Sequence, residues 1–402
     1  MPEVRIMKEI SRNLIAKFSL RSIFIIIGLG VLVFLLLFRL TDLLPGLSPA
    51  EVTTRYFGPS YHYLLHNPIN APYQLLAYGL ARLMPHSMQA IRLVSAFFGA
   101  ATVMLFFYIV RCWFNPTVAL LSGLMFASST WFLRSARQGT PDVLLFGLLL
   151  FIAINLWLRR FHHRRLFIAL MGLAACFSLY IPGLIWFLII AAVWKRHLIK
   201  TVLQLIKLRI ILIISVAGAV IVAPLLWATA NNYKLVWSIL GLPSRVPALL
   251  PTLKHLTDVP LNLFVRGPYQ PGFWVGRSPV LDVFEVALVV FGIYAYWLNR
   301  HLTHLFSLLI VFLITTVLVS LGGPVTLSLV LPFIYLSIAS GLAYLFNDWF
   351  STFPRNPIAR GVGVTLVVLV VCTSCFYQLD RYFIAWPHTP PAKATFSYRP
   401  TS

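Results

Sequence analysis

The sequence predicts an all-α fold, a polytopic bundle of about eleven membrane-spanning helices in a single domain over residues 1–402. Two features of the composition support this prediction. Of the 402 residues, 59% are hydrophobic and only 10% are charged, whereas soluble domains carry about 25% charged residues. The apolar residues also form continuous runs, without the alternation that is typical of strands in a membrane barrel.

The apolar runs can be followed in order along the chain. The predicted spans cover residues 22–38, 89–110, 116–133, 143–158, 166–179, 184–194, 210–230, 280–298, 302–321, 325–346 and 361–377. The fifth and sixth runs are short for a hydrocarbon layer of about 30 Å.

The charge distribution predicts how these spans are oriented. The formal net charge is +22. The densest basic runs, such as RRFHHRR at residues 159–165, all fall in short loops on one side of the predicted series of spans. Basic loops stay on the cytoplasmic side. We therefore predict a protein of the plasma or inner membrane with a cytoplasmic N-terminus and an extracytoplasmic C-terminus. A basic amphipathic segment at residues 1–21 is predicted to lie along the inner membrane surface. We do not interpret the net positive charge of the whole chain as a sign of nucleic-acid binding.

Three polar segments are predicted on the outer face: the first outer loop at 45–88, the second at 231–279, and the tail at 378–402. In the first loop, Ser48 and Pro49 suit the start of a helix, and Gly58-Pro59 is expected to break that helix before its end near residue 65. A second interfacial helix is expected at 72–84. The second loop contains seven prolines between 241 and 279, and these predict an irregular cover.

Acidic residues are scarce, ten in all, so each one near the outer face is a candidate for function. These are Asp42, Glu51, Asp142, Asp258 and Asp282. Two of them have arginines close by in sequence: Arg55 is near Glu51, and Arg134 and Arg137 precede Asp142. An acid among cations can handle a phosphate-linked substrate, because the cations hold the phosphate while the acid accepts a proton. The alternative is that Glu51 is only a helix N-terminal acid and Asp142 only part of a cap. No metal site is predicted, since His62 and His66 have no evident third ligand.

Four stretches resemble the GT-C superfamily of membrane glycosyltransferases, within its branch of protein O-mannosyltransferases and lipid A aminoarabinose transferases. They are IRLVSAFFGA at 91–100, SARQGTPDVLLF at 135–146, PGFWVGRSPVLDVFEVALVVFGI at 271–293 and YFIAWPHTPPAKATFSYRP at 382–400. The family typically has an Asp-Glu pair after the first span and a second acid at the start of the fourth span. Glu51 occupies the second position of that pair, and Asp142 occupies the position of the second acid, at the start of the fourth span.

The resemblance implies transfer of a monosaccharide from a polyprenyl-phosphate donor to a glycan, lipid or protein acceptor on the extracytoplasmic side, by inverting displacement. Glu51 would accept the acceptor's proton, and Asp142 would orient the acceptor or Glu51. Arg55, Arg137, Arg266 and Arg277 are the candidates for binding the donor phosphate. A lipid-linked donor and membrane lipids are the implied partners, no other cofactor is implied, and dependence on a divalent metal stays open.

The chain departs from the family pattern at two places. Ala50 stands where the family has the first acid of its pair, and no arginine lies near the start of the tenth span at residues 323–328. The alternative functions are therefore a non-catalytic membrane scaffold of this family or a transporter of lipid-linked glycans.

Overall fold

The computed structural model describes residues 20–57, 61–84, 89–160, 164–194, 196, 208–244, 247–298 and 302–398. The predicted all-α class is confirmed, because these residues are mostly helical and contain no strand beyond an isolated antiparallel bridge between Leu47 and Tyr398. Most of the predicted basic surface segment, residues 1–19, lies outside the described residues.

The first half of the chain forms long apolar helices separated by short polar ones. The helices are α1 Leu20–Leu37, α2 Pro49–Phe57, α3 Tyr61–His66, α4 Ala71–Leu83, α5 Gln89–Trp113, α6 Pro116–Ser128, α7 Thr130–Arg137, α8 Leu148–Arg160, α9 Arg164–Ser178 and α10 Leu184–Trp194. A 3₁₀ turn at Pro141–Gly147 leads into α8. Helix α6 and helix α7 are bent by 64° relative to each other, so the third predicted span is broken near its end.

The second half follows the same pattern. Its helices are α11 Leu208–Asn231, α12 Lys234–Ile239, α13 Leu249–His255, α14 Asp258–Phe264, α15 Val283–Leu298, α16 Leu302–Ser320, α17 Leu331–Thr352, α18 Pro357–Asp380 and α19 Pro390–Thr395. The second outer loop, predicted to be irregular, contains the three short helices α12, α13 and α14 and is irregular elsewhere in its described residues. Pro251 and Pro260 are each the third residue of their helix, where an N–H would have no partner inside the helix.

Each predicted span overlaps a described helix. By length and composition, five helices of the described chain could cross a membrane, or six if the bent pair α6–α7 counts as one span. Several others are shorter apolar helices, so the number eleven stays a prediction. The expected helix break after residue 57 falls on residues 58–60, outside the described chain.

The segments predicted to face outward meet at one end of the bundle. Three backbone hydrogen bonds join them, from Leu47 to Tyr398 at 2.8 Å, from Asn70 to Tyr180 at 2.8 Å and from Gly183 to Ile239 at 3.0 Å. At the opposite end, rings of predicted inner segments meet, with Trp113 and His304 4.8 Å apart between ring centroids. These described parts of the two groups of segments thus lie at opposite ends, and the membrane face that each end meets stays a prediction.

Helices α15 and α17 pack very closely through two glycines. A Cβ atom on Gly292 would lie 1.9 Å from the Ser337 carbonyl oxygen, and one on Gly341 would lie 2.2 Å from that of Leu288. Small residues let membrane helices approach to backbone contact. This close pair brings Glu285 of α15 beside Tyr335 of α17, below the candidate site.

Candidate active site

Glu51 lies at the N-terminus of α2 in a reciprocal cap. Its carboxylate accepts a hydrogen bond from the backbone N–H of Ser48 at 2.8 Å, and the Ser48 hydroxyl accepts one from the N–H of Glu51 at 3.3 Å. This is a capping box, in which two unpaired helix-end N–H groups are satisfied by side chains three residues apart. The sequence signal is Ser48-Pro49-Ala50-Glu51, so the predicted helix start is confirmed.

Glu51 is also the anion of a buried ion pair. Its side chain is fully buried, and Arg92 of α5 donates to it at 2.9 Å from Nε. The backbone N–H of Gly139 donates to the same carboxylate at 3.0 Å. The carboxylate therefore joins α2, α5 and the turn before the fourth predicted span, and every one of these donors stabilises its charged form.

Arg92 extends this connection to the end of the first helix. Its guanidinium donates to the carbonyl oxygens of Leu40 at 3.0 Å and Gly46 at 2.7 Å. Sequence reasoning placed Arg92 within the family-like stretch at 91–100 but gave it no role. A lone arginine at the start of an apolar helix was the available signal, since such a charge needs a partner.

The main cavity at this end has a volume of about 480 Å³. Its walls come from α2, α7, the turn that follows α7, the second outer loop and the tail. The lining residues are Ala50, Arg134, Gln138, Thr140, Asp142, Gln270, Pro271, Gly272, Phe273 and Thr395. The volume lies in the range of small-molecule sites, and one acid and one arginine are among its lining residues.

The two predicted acids therefore do not share one cavity. Asp142 lines the main cavity, whereas Glu51 lines a separate crevice of about 10 Å³, which has room for about one water molecule. The turn at residues 138–140 lies between them, and Gln138 lines both spaces. Ala50, where the family has its first acid, lies on the cavity wall. The geometry matches the structural alternative for Glu51 and leaves Asp142 as the acid of the cavity.

Several polar groups around the cavity lack partners. Within the described chain, no hydrogen-bond partner is found for Nη1 of Arg134, Nε2 of Gln138 or Oγ1 of Thr140, although all three atoms are buried. Buried polar atoms of native proteins are nearly always paired. All three residues also line the cavity.

Arg134 is held by aromatic rings. Its guanidinium carbon lies 4.8 Å from the ring centroid of Trp131 and 5.1 Å from that of Phe273. It makes no ion pair with Asp142, since the ion pairs of the described residues are Arg92–Glu51 and His255–Asp258. Both charged groups of the cavity thus remain available to a ligand.

The turn beside Asp142 is supported from behind by α4 and α5. The Tyr73 hydroxyl bonds to the Ile91 carbonyl at 2.9 Å and to the Ser95 hydroxyl at 2.8 Å, and Ser95 donates to the Thr140 carbonyl at 3.2 Å. Burial raises the pKa of Tyr73, so its phenol stays protonated. Helix α4 therefore stabilises the position of the turn.

The arginines predicted to bind phosphate are placed differently from Arg134. Arg137 turns toward the end of α1, donating to the carbonyls of Leu35 at 2.6 Å and Phe38 at 2.5 Å. Arg266 and Arg277 are exposed, and Arg277 lies over the Tyr269 ring at 5.3 Å. None of these three is among the residues that line the cavity. Arg55 lies in α2, with its side chain outside the described part of the structure.

A second capping box lies at the start of α15. Asp282 and Glu285 exchange hydrogen bonds, with the Asp282 N–H donating at 2.9 Å and the Glu285 N–H at 2.8 Å. Tyr335 and Gln378 also donate to the Glu285 carboxylate. Asp282, one of the predicted outer acids, is thus structural.

The two remaining outer acids also have partners. Asp42 accepts a hydrogen bond from the Thr41 hydroxyl, and Asp258 pairs with His255.

A bundle of apolar helices with a cavity at one end indicates an integral membrane protein. The family model for dolichyl-phosphate-mannose-protein mannosyltransferase matches residues 68–227, which include α5, α7 and Asp142. No curated protein sequence matches the chain.

Two solved structures of ArnT from Cupriavidus metallidurans have a similar fold. The apo structure aligns with a TM-score of 0.55 at 13% identity, over 94% of this chain and 77% of that one. The structure bound to undecaprenyl phosphate aligns with a TM-score of 0.50 at 12% identity, over 93% of this chain and 77% of that one. The resemblance to GT-C membrane glycosyltransferases drawn from the sequence is confirmed at the level of the fold.

Proposed function

We propose that this protein is an integral membrane glycosyltransferase that moves a monosaccharide from a polyprenyl-phosphate donor to an acceptor, with the reaction in the 480 Å³ cavity. The family match over residues 68–227 supports the reaction class. The similarity in fold to ArnT, which has been solved with undecaprenyl phosphate bound, supports a lipid-linked phosphate as the ligand.

One observation carries the proposal. The cavity combines Asp142, a carboxylate without a hydrogen bond from the described residues, with Arg134, a guanidinium without an ion pair among those residues. A glycosyl phosphate needs a base for the attacking hydroxyl and a cation for the leaving phosphate. We therefore assign the base to Asp142 and phosphate binding to Arg134.

The proposed reaction is a single displacement at the anomeric carbon. Asp142 removes the proton of an acceptor hydroxyl while that oxygen forms a bond to the anomeric carbon from one side. The bond from that carbon to the phosphate oxygen breaks on the other side, and its electron pair leaves with the phosphate. Arg134 stabilises the negative charge that develops on the leaving oxygen by preorganised electrostatic interaction.

The donor's lipid part requires that the cavity lie at a membrane surface. The cavity is formed by segments predicted to face outward, and the sequence predicts that the basic loops lie at the other end of the bundle. Since basic loops remain cytoplasmic, we propose an extracytoplasmic reaction. In this mechanism Glu51 has no direct part, and its pair with Arg92 stabilises the turn that carries Asp142.

The test of phosphate binding is a comparison of arginine variants. Arg134→Met should weaken binding of undecaprenyl phosphate by roughly 10- to 100-fold, because a charge-assisted hydrogen bond contributes about 1.5–3 kcal/mol. Binding would be measured on purified protein in lipid nanodiscs, and Arg39→Met is the control for an exposed arginine at the end of α1. Weakened binding in Arg277→Met but not in Arg134→Met would contradict the assignment.

A non-catalytic lipid-phosphate-binding scaffold is the second candidate. Ala50 favours it, because a methyl group stands on the cavity wall where the family has an acid. The two functions differ in turnover. An enzyme releases polyprenyl phosphate from at least one member of a panel of polyprenyl-phosphate sugars, whereas a scaffold binds these lipids and leaves them intact.

A further inference from the structure

Gln378 of α18 lies fully buried between two distant parts of the chain. Its side-chain Oε1 accepts hydrogen bonds from the Thr130 backbone N–H at 3.2 Å and from the Thr130 hydroxyl at 2.7 Å. Its Nε2 donates to the Glu285 carboxylate at 2.8 Å. The amide thus connects the first residue of α7 to the capping box of α15.

The orientation of this amide is fixed by its partners. A carboxylate accepts hydrogen bonds, so Glu285 requires the NH₂ end of the amide, and the Thr130 N–H requires the oxygen end. A flipped amide would place donor against donor at Thr130 and acceptor against acceptor at Glu285. The Thr130 N–H and Glu285 therefore agree on which group of Gln378 meets α7.

Helix α7 needs such a contact because it is short and follows a sharp bend. It has eight residues and begins at the 64° break after α6. The first N–H groups of a helix have no partner within the helix. Gln378 supplies one at Thr130, and the Thr130 hydroxyl also donates to the Gln378 carbonyl at 2.9 Å.

Arg134 lies one helical turn after Thr130, which places the two residues on the same face of α7. The ring beneath Arg134 is also held, since the Trp131 indole N–H donates to the Ser328 hydroxyl at 2.9 Å. Displacement at Thr130 would therefore move Arg134 relative to Asp142, which lies on a different element. A shift of about 1 Å in a binding group is enough to reduce function strongly.

We infer that Gln378 is a positioning residue, which fixes the first turn of α7 so that Arg134 faces the phosphate in the cavity. This inference rests on the proposed role of Arg134. Gln378 does not line the cavity, so it acts through Thr130, and Glu285 acts one step further away by orienting the amide.

The test uses Gln378→Met, which keeps the length of the side chain and removes the amide. We expect about a tenfold rise in hydrogen exchange at the amides of residues 133–137 and about a tenfold weaker binding of undecaprenyl phosphate, from the loss of buried hydrogen bonds. Both would be measured well below the melting temperature. Thr373→Val is the matched control, because it removes a hydroxyl on the same helix that bonds only to Leu369.

A second variant tests the orientation directly. In the double variant Glu285→Gln with Gln378→Glu, a carboxylate faces Thr130 and an amide from α15 donates to it, while the Asp282 N–H loses the Glu285 oxygen that accepted from both it and Gln378. We expect this pair to recover part of the binding lost in Gln378→Glu alone.

Two results would overturn the inference. One is Gln378→Met with exchange and binding equal to the wild type. The other is faster exchange in α7 with unchanged binding, since this would reduce Gln378 to a stabilising residue. A wild type that does not bind undecaprenyl phosphate would instead contradict the proposed function, while the exchange of α7 would still decide whether Gln378 holds that helix.

Discussion

Asp142→Asn is expected to reduce the release of polyprenyl phosphate from its sugar-linked form by about 10²- to 10⁴-fold, the usual contribution of a general base. The amide keeps the shape of the side chain but cannot accept the acceptor's proton. Binding of undecaprenyl phosphate should persist, because Arg134 is intact and a negative charge has been removed from the cavity. Release would be followed with a panel of polyprenyl-phosphate sugars and protein in nanodiscs.

Asp258→Asn is the control for this variant. Asp258 lies at the same end of the bundle and pairs with His255 at 2.6 Å, with a partly exposed side chain, so its loss should leave turnover unchanged. Wild-type turnover in Asp142→Asn would remove Asp142 from the mechanism. Equal loss in both aspartate variants would mean that the effect is not specific to the cavity.

Arg92→Met is expected to have the largest effect on stability. It leaves the Glu51 carboxylate fully buried without its cation, and breaking a buried ion pair on one side typically costs about 3–5 kcal/mol. It also leaves the carbonyl oxygens of Leu40 and Gly46 without their donor. A large drop in the melting temperature in detergent would report this loss.

Arg82→Met is the matched control, because Arg82 lies exposed at the end of α4 over the Tyr78 ring. Exposed charges contribute about 0–1 kcal/mol, so this variant should melt near the wild type. The double variant Arg92→Met with Glu51→Gln should regain part of the loss, since no unpaired buried charge remains. Equal melting temperatures for Arg92→Met and Arg82→Met would contradict the structural role of the ion pair.

The helices could be predicted because continuous apolar runs and helix-start signals are local in sequence. The start of α2 at Pro49 and the positions of the long spans follow from such signals. The roles of Glu51 and Ala50 could not be predicted in this way. Adjacent residues of a helix point about 100° apart, so only one of the two could face the cavity. Which one does so depends on the contact of Glu51 with Arg92, 41 residues later in the chain.

The arginine that lines the cavity could not be predicted for a related reason. When the third span is assumed to be straight, the sequence does not determine which side of its last turn faces the cavity. The 64° bend at Ser129 changes which side of α7 does so. As a result Arg134, rather than the predicted Arg137, lines it. Gln378 bonds to the first residue after the bend but lies 248 residues from Thr130 in the sequence, and no local pattern reveals that contact.

Glu285 was missed because it lies inside an apolar run, and its partners come from two other helices. The sequence did show the spacing of a capping box in Asp282-Val283-Phe284-Glu285, which repeats that of Ser48 and Glu51. Recognition of both boxes would have shown that Glu51 and Asp282 have structural partners close by. Asp142, which has none, would then have been the remaining candidate beside an arginine.

The most direct measurement is an experimental structure of this protein with undecaprenyl phosphate bound. We expect a phosphate oxygen within about 3 Å of the Arg134 guanidinium, on the side of the cavity that Asp142 also lines, with Glu51 still paired to Arg92. A phosphate bound at Arg266 or Arg277, with the cavity beside Asp142 empty, would contradict the proposed reaction centre.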